Sequence, residues 1–207
     1  MSTYKLYYFD ARGVSEPIRL LFSYAKIKYE DIRFTRGPEW LELKPTMPWN
    51  VVPVLEVDGQ KISQSRAIFR FLGRRLGLAP TDELQLAKCD EYIDAIIDLR
   101  TEGKTFNREQ DPQKKTELRD KFLAETYFQY MRKFKDILKK NGTGFLVGNK
   151  LSYADIFIAY TVEQVSSWID VQDWREESYK EVKAHSKMVM SLPGIKEWVE
   201  SRPKTKT

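Results

Sequence analysis

Short runs of strand character alternate with helical ones in the first third of the chain. Residues Tyr4–Phe9 read as a strand, and Arg12-Gly13 follows as a turn. Ser15-Glu16-Pro17 opens a helix with proline in the first turn, where its missing N–H costs nothing, and Ile18, Leu21, Phe22 and Ala25 continue at helical spacing. Glu30–Phe34 alternates weakly as a second strand and runs into the turn residues Arg36-Gly37-Pro38. Residues 53–57 make a strong third strand, Asp58-Gly59 a hairpin signal, and Gln60–Ser63 the returning strand before a helix over 65–76. Beyond Gly77-Leu78-Ala79-Pro80 the period changes to helical throughout. Long amphipathic stretches cover 83–104 and 113–140, and Asn141-Gly142-Thr143-Gly144 breaks the second. Ser152-Tyr153-Ala154-Asp155 starts another helix as a capping box with Asp in place of Glu, and two further helices span 177–190 and 194–200.

That order predicts two domains: an α/β thioredoxin-like domain with a mixed four-stranded sheet over 1–79, then an all-α domain over 80–207. A length of 207 residues suits two small domains. No apolar run reaches the ~20 residues of a membrane span, and the N-terminus enters the first strand with no signal peptide. One cysteine, Cys89, permits no internal disulfide and suits a reducing compartment, so a cytoplasmic protein without a membrane partner is expected. The net charge of +5 does not point to nucleic acid, because acids interleave with the basic residues and the pairs Arg74-Arg75 and Lys139-Lys140 lie near helix ends.

Several kinds of chemistry are absent. The sequence has no glycine-rich phosphate loop, no dinucleotide fingerprint and no Cys/His metal cluster. Its one histidine, His185, falls in a charged stretch expected to be an exposed helix, which disfavours a catalytic triad. Other positions carry two readings each. Val52-Pro53 is an ordinary strand-start proline or a cis bond that frees the Val52 backbone for a peptide-like ligand. Gln64-Ser65 is a helix cap or a carboxylate site at a helix terminus. Trp40 and Lys44 are a core indole with a solvated ammonium, or two groups on one helical face that clamp a carboxylate.

Taken together with Tyr8 and Arg12-Gly13, these positions resemble the sigma-class glutathione transferases, near the hematopoietic prostaglandin D synthase branch. Residues 53–59, Gln64-Ser65-Arg66-Ala67-Ile68, Asp94-Ala95-Ile96-Ile97-Asp98, Ser152-Tyr153-Ala154-Asp155 and the ending Arg202-Pro203-Lys204-Thr205-Lys206 carry the likeness over nearly the whole chain. The resemblance implies a transferase that conjugates the glutathione thiolate to hydrophobic electrophiles, lipid-peroxidation products included, with glutathione as co-substrate and no other cofactor. It implies that Tyr8 activates the thiol, Trp40 and Lys44 hold the glycine carboxylate, Val52 beside Pro53 pairs with the cysteinyl backbone, and Gln64 and Ser65 hold the γ-glutamyl end. Asp98 reaches the α-amino group from the partner subunit of a homodimer, Trp49 docks into that partner or covers its own loop, and the helical domain supplies the electrophile site. Tyr7 is the rival to Tyr8, but strand alternation turns it to the other sheet face.

The chain departs from that pattern in three places. Val14 stands where many relatives carry an arginine, which bears on the strength of thiol activation. Ile97 replaces one member of the acidic cluster that relatives link to magnesium, so no metal is expected. The stretch 100–106 lacks the tryptophan of the prostaglandin pocket. Conjugation therefore ranks ahead of isomerisation of prostaglandin H2 to D2, and ahead of a non-catalytic carrier or crystallin-like role.

Overall fold

The computed structural model describes residues 2–169 and 179–205. The chain separates into two compact units, Met1–Leu78 with Leu192–Thr207, and Ala79–Ser191.

The first unit is a thioredoxin-like layer of sheet and helix. Strands β1 (Tyr4–Phe9), β2 (Glu30–Phe34), β3 (Val54–Val57) and β4 (Gln60–Ser63) lie in the order β2-β1-β3-β4. The β1/β2 pair is parallel and the other two pairs are antiparallel, giving the mixed sheet expected. A parallel pair needs a crossover, and α1 (Glu16–Tyr24) supplies it. Alternation along β1 buries Tyr4, Leu6 and Tyr8 while Lys5, Tyr7 and Phe9 stay partly open. Helices α1 and α3 (Ser65–Arg75) pack together, and Ile18, Leu21, Ile68 and Leu72 close the core with Leu6 and Leu55. Helix α2 (Pro38–Leu43) is short and buries no residue; two 3₁₀ turns, Lys44–Thr46 and Pro48–Asn50, lead from it to β3.

Residues 192–207 return to this unit through α9 (Ile195–Ser201), which packs on α1. The link is polar and buried. The Glu16 carboxylate, on a residue with no exposed surface, accepts from the Trp198 indole at 2.9 Å and from Arg202 at 2.9 Å.

The second unit is helical. Helix α4 (Glu83–Arg108) turns Cys89, Ile93, Ile96, Leu99, Gly103 and Phe106 inward at three- and four-residue spacing. Gly103 belongs to that stripe because a Cβ there would lie 3.2 Å from the Phe122 ring and 3.5 Å from the Trp168 ring. The expected single helix over 113–140 is instead three pieces: α5 (Pro112–Phe122), a π-helical turn (Leu123–Tyr127) and α6 (Phe128–Asn141). The wider turn carries Leu123 and Tyr127 into the core, where the Tyr127 ring meets Phe122 and Phe128. Helix α7 (Tyr153–Ser166) is buried on almost every side and packs against α4 and α8 (Lys180–Met190). The first two positions of the helix expected over 177–190, 177 and 178, lie outside the described residues.

The capping box forms as its sequence implies. Asp155 accepts from the Ser152 backbone at 2.8 Å, from the Ser152 hydroxyl at 2.7 Å and from the Leu146 backbone at 2.8 Å. The exposed His185 expected from its charged surroundings is a correction. It is 6% exposed, with Nε2 at 2.8 Å from the Asp155 carboxylate. The charges flanking it lie on the outer side of α8, while His185, Val182 and Val189 share the inner side.

Candidate active site

The sheet register gathers most of the predicted positions at one end of the first unit. Tyr7 pairs with Val54, and Val54 with Ser63. Continued one step past the last pairs, the register sets Tyr8 opposite Pro53, and Pro53 opposite Gln64. Strands in a sheet are about 4.8 Å apart, so the hydroxyl-bearing end of β1, the Val52-Pro53 step and the start of α3 stand side by side. The parallel neighbour contributes too: Tyr8 pairs with Arg33, and the chain leaves Phe34 for α2 at the same end.

Tyr8 is buried to 7% exposure, and its ring lies against Phe9. Its oxygen accepts a long hydrogen bond, 3.4 Å, from the backbone N–H of Val14. A phenol has one proton to give and can accept through its lone pairs, so this bond leaves the O–H proton available to an acceptor from outside the protein. The turn must come close for this to happen. Gly13 has a φ of +47°, and a Cβ there would sit 2.5 Å from the Tyr8 oxygen. A side chain would push into the hydroxyl and also strain the backbone.

Tyr7 is different. Its hydroxyl donates to Glu56 at 3.0 Å, and partial burial followed by the Glu56 carboxylate pushes its pKa up to about 12. That phenol is committed to a protein carboxylate on the other face of the strand.

The turn that carries Gly13 is fixed from below by residues that the sequence reading did not single out. Arg19, with no exposed surface, donates to the Ala11 carbonyl at 2.8 Å, to Glu16 at 3.1 Å and through Nε to Asp31 at 3.1 Å and 3.2 Å. Asp31 also accepts from Arg33 at 2.7 Å, and Arg33 reaches Asp10 at 3.1 Å. With Arg202 on Glu16, three guanidiniums meet three carboxylates, so the buried charges are paired. The available signal was an arginine in the middle of the apolar run Pro17-Ile18-Arg19-Leu20-Leu21-Phe22.

Trp40 stacks on Phe34 at 5.7 Å with near-parallel planes and meets Phe9 edge-on at 5.4 Å. The indole is thus held at the same sheet end as Tyr8. Lys44 is exposed, at the C-cap of α2. The Val52-Pro53 peptide is cis. Gln64 is exposed and caps α3 with φ +72°, a left-handed conformation rare for a residue with a side chain; Ser65 is the first residue of the helix. Asp98 belongs to the second unit, as an exposed residue of α4. Trp49 is 81% exposed with φ +57°, so its ring does not cover its own loop.

Among the described residues, no group of three or more His, Cys, Asp or Glu side chains is placed to hold a metal ion, and no helix is long and apolar enough to cross a membrane.

The chain is similar to known proteins over nearly its whole length. Residues 4–74 match the family described as "Glutathione S-transferase, N-terminal domain", and residues 97–202 match "Glutathione S-transferase, C-terminal domain". The chain is 35% identical over 211 residues to Glutathione S-transferase 1 of Ascaris suum, covering 99% of both chains. Among solved structures it is similar to prostaglandin synthase D of Nilaparvata lugens, with 40% identity, a TM-score of 0.85 and coverage of 98% of this chain and 100% of that one. It is also similar to Na-GST-3 of the hookworm Necator americanus, described as monomeric, with 36% identity, a TM-score of 0.84 and coverage of 99% and 100%.

Proposed function

Since the chain belongs to the glutathione S-transferase family, and is an enzyme of that kind with glutathione as co-substrate, we propose that Tyr8 is its thiol-activating residue and that the enzyme is of sigma type. The observation that carries the proposal is the Tyr8 hydroxyl, which is held by Val14 N–H and given room by the missing Cβ of Gly13 while its own proton has no protein acceptor among the described residues. Glutathione lies along the sheet end, its glycine carboxylate at Trp40 and Lys44, its cysteinyl backbone at Val52 beside Pro53, and its γ-glutamyl end at Gln64 and Ser65 over the start of α3. Asp98 of a second subunit completes the site at the α-amino group, in a cytoplasmic homodimer that conjugates hydrophobic electrophiles and so detoxifies them.

The chemistry needs little more than this placement. A free thiol has a pKa of about 8.5, so only a few per cent is thiolate at neutral pH. A hydrogen bond to a charged acceptor contributes about 1.5–3 kcal/mol, which lowers that pKa by one to two units. The thiol proton is released to water and the phenol donates to the sulfur anion. The anion attacks the electrophilic carbon as a leaving group departs (chloride from chlorodinitrobenzene) or, at a conjugated double bond, as the π pair shifts and takes a proton from water, and holding both reactants together supplies much of the remaining rate. Val14 brings no cation to the Tyr8 oxygen, but the Arg19 guanidinium lies 5.9 Å from the centre of the Tyr8 ring and puts a positive charge beside the phenol.

The test is conjugation of glutathione to chlorodinitrobenzene by the wild type and by Tyr8→Phe, with glutathione affinity measured by calorimetry. Loss of about tenfold to a hundredfold in kcat/KM at nearly unchanged affinity is expected. Unchanged turnover in Tyr8→Phe would remove the role assigned to Tyr8. The likeness to the Nilaparvata lugens protein favours one second reading, glutathione-dependent isomerisation of prostaglandin H2 to D2. Direct assay of prostaglandin D2 formation separates it from conjugation.

A further inference from the structure

A cavity of about 300 Å³ lies within the first unit, between Arg12 and the closing segment that follows Val199. That is the size at which small-molecule sites begin. The thiol site is elsewhere: neither Tyr8, Gly13 nor Val14 lines this cavity, and among the described residues no member of the helical unit does. Its walls carry charge without compensation. The Arg12 carbonyl accepts from the Ser15 hydroxyl at 3.2 Å and from the Glu16 N–H at 3.0 Å, which fixes the backbone. The half-buried Arg12 guanidinium, by contrast, has no hydrogen-bond or ion-pair partner among the described residues. Lys204, an exposed residue on the facing wall, is unpaired as well.

The acids nearby are already engaged. Glu16 holds Arg202 at 2.9 Å, and Glu200 faces Lys196 at 3.8 Å. Arg202 uses one N–H on Glu16, so the rest of its guanidinium, also in the cavity wall, can donate further. Thr205, in the same wall, has a buried hydroxyl oxygen with no partner among the described residues. Buried polar groups are normally hydrogen-bonded, and a half-buried guanidinium without a carboxylate has lost water without gaining an acceptor. One anion in the cavity would serve both. The charge count sets its class. Two uncompensated cations, Arg12 and Lys204, match a dianion, and guanidinium forks suit the oxygens of a phosphate. A phosphate monoester carries about −1.5 to −2 charge near neutral pH, whereas a carboxylate or a sulfate ester carries a single charge. Val199 and Pro203 complete the wall with apolar surface for a small organic body.

We infer that the Arg12 cavity is a binding site for small phosphate monoesters, with Arg12 and Lys204 neutralising the phosphate and Arg202 and Thr205 donating to its oxygens. This goes beyond the thiol chemistry at Tyr8 and is tested without it, since binding is read in the absence of glutathione. Failure here leaves the transferase reading intact, and failure of that reading leaves this site testable.

The experiment is calorimetric titration of the full chain with phenyl phosphate and with phenyl sulfate, in a buffer free of both anions. The phosphate is expected to bind about tenfold or more tightly than the sulfate, because its second charge meets a second cation. Arg12→Gln should weaken phenyl phosphate by about tenfold to a hundredfold, the loss of a charge-assisted hydrogen-bonded pair. Lys204→Gln should remove the preference for phosphate over sulfate. No binding by the wild type, equal binding of the two esters, or binding unchanged in Arg12→Gln would overturn the assignment. Inorganic phosphate should bind more weakly than the phenyl ester; equal binding would mean that the apolar wall is not read, and would overturn the ester as the guest. Saturating S-methylglutathione, which lacks a free thiol, should leave phenyl phosphate binding unchanged. Competition would place the anion in the glutathione site and overturn the proposal. The melting temperature of Arg12→Gln should match that of the wild type, since the guanidinium has no partner to lose. A fall would mark Arg12 as a structural residue and overturn its role as a ligand.

Discussion

Tyr7 and Tyr8 are the same residue type one position apart, and their hydroxyls do different things because a strand alternates. One donates to Glu56; the other lies under the Gly13 turn with its proton unclaimed. Cys89 shows the same dependence on surroundings. It is fully buried, and desolvation pushes its pKa up to about 11 against the opposing pull of a Ser152 hydrogen bond. The native thiol should resist iodoacetamide at pH 8, and react at the rate of a free thiol only once urea unfolds the chain. The pH dependence follows in sign. An unfolded thiol titrates near 8.5, whereas the folded one keeps its proton until about 11. Between those values the unfolded state has released a proton that the folded state retains, so stability falls as pH rises. Cys89→Ala should flatten that part of the stability curve, measured by urea titration from pH 8 to 11. The alternation that separates Tyr8 from Tyr7 is local and so readable in sequence, whereas the roles proposed for Trp40, Lys44, Val52, Gln64 and Ser65 came from the resemblance, each position alone carrying two readings. Arg19 was not legible, because its role depends on Ala11, Glu16 and Asp31 meeting in space.

At the scale of elements, Asp155 joins a cap to a neighbouring helix. One carboxylate serves the start of α7, the Leu146 backbone and His185 on α8. Asp155→Ala should lower the unfolding free energy by about 3 kcal/mol or more, since buried donors would lose their partner. An unfolding free energy from urea titration within about 1 kcal/mol of wild type would show that water or a rearranged loop takes over. The cap itself was readable as Ser152-Tyr153-Ala154-Asp155, yet its partner His185 was expected at the surface. A capping box is a four-residue pattern, whereas the side of α8 that faces inward is chosen by packing against α7. The same reason explains the helix expected over 113–140. Its apolar period continues through residues 123–127, and only the need to seat Leu123 and Tyr127 among rings from other helices calls for the wider π-turn.

For the whole molecule, the proposed homodimer makes Trp49 the residue to test. A large indole at 81% exposure on a left-handed backbone is costly for an isolated subunit and useful at an interface, where aromatic anchors dominate affinity. Trp49→Ala should shift sedimentation from dimer toward monomer and, through loss of the partner's Asp98, weaken glutathione binding. A wild type that sediments as a monomer, as the Necator americanus structure is described, would remove both Asp98 and Trp49 from their proposed roles. The two-part organisation was visible where the period changes near residue 78, and the return of 192–207 to the first unit was not, because it turns on one buried carboxylate. That return has a consequence for biosynthesis. A ribosome delivers Glu16 first, and Trp198 and Arg202 follow 182 and 186 residues later. The sheet made first is therefore completed only after the helical unit has been made, and until Trp198 and Arg202 leave the exit tunnel the nascent sheet carries the Glu16 carboxylate without those two partners.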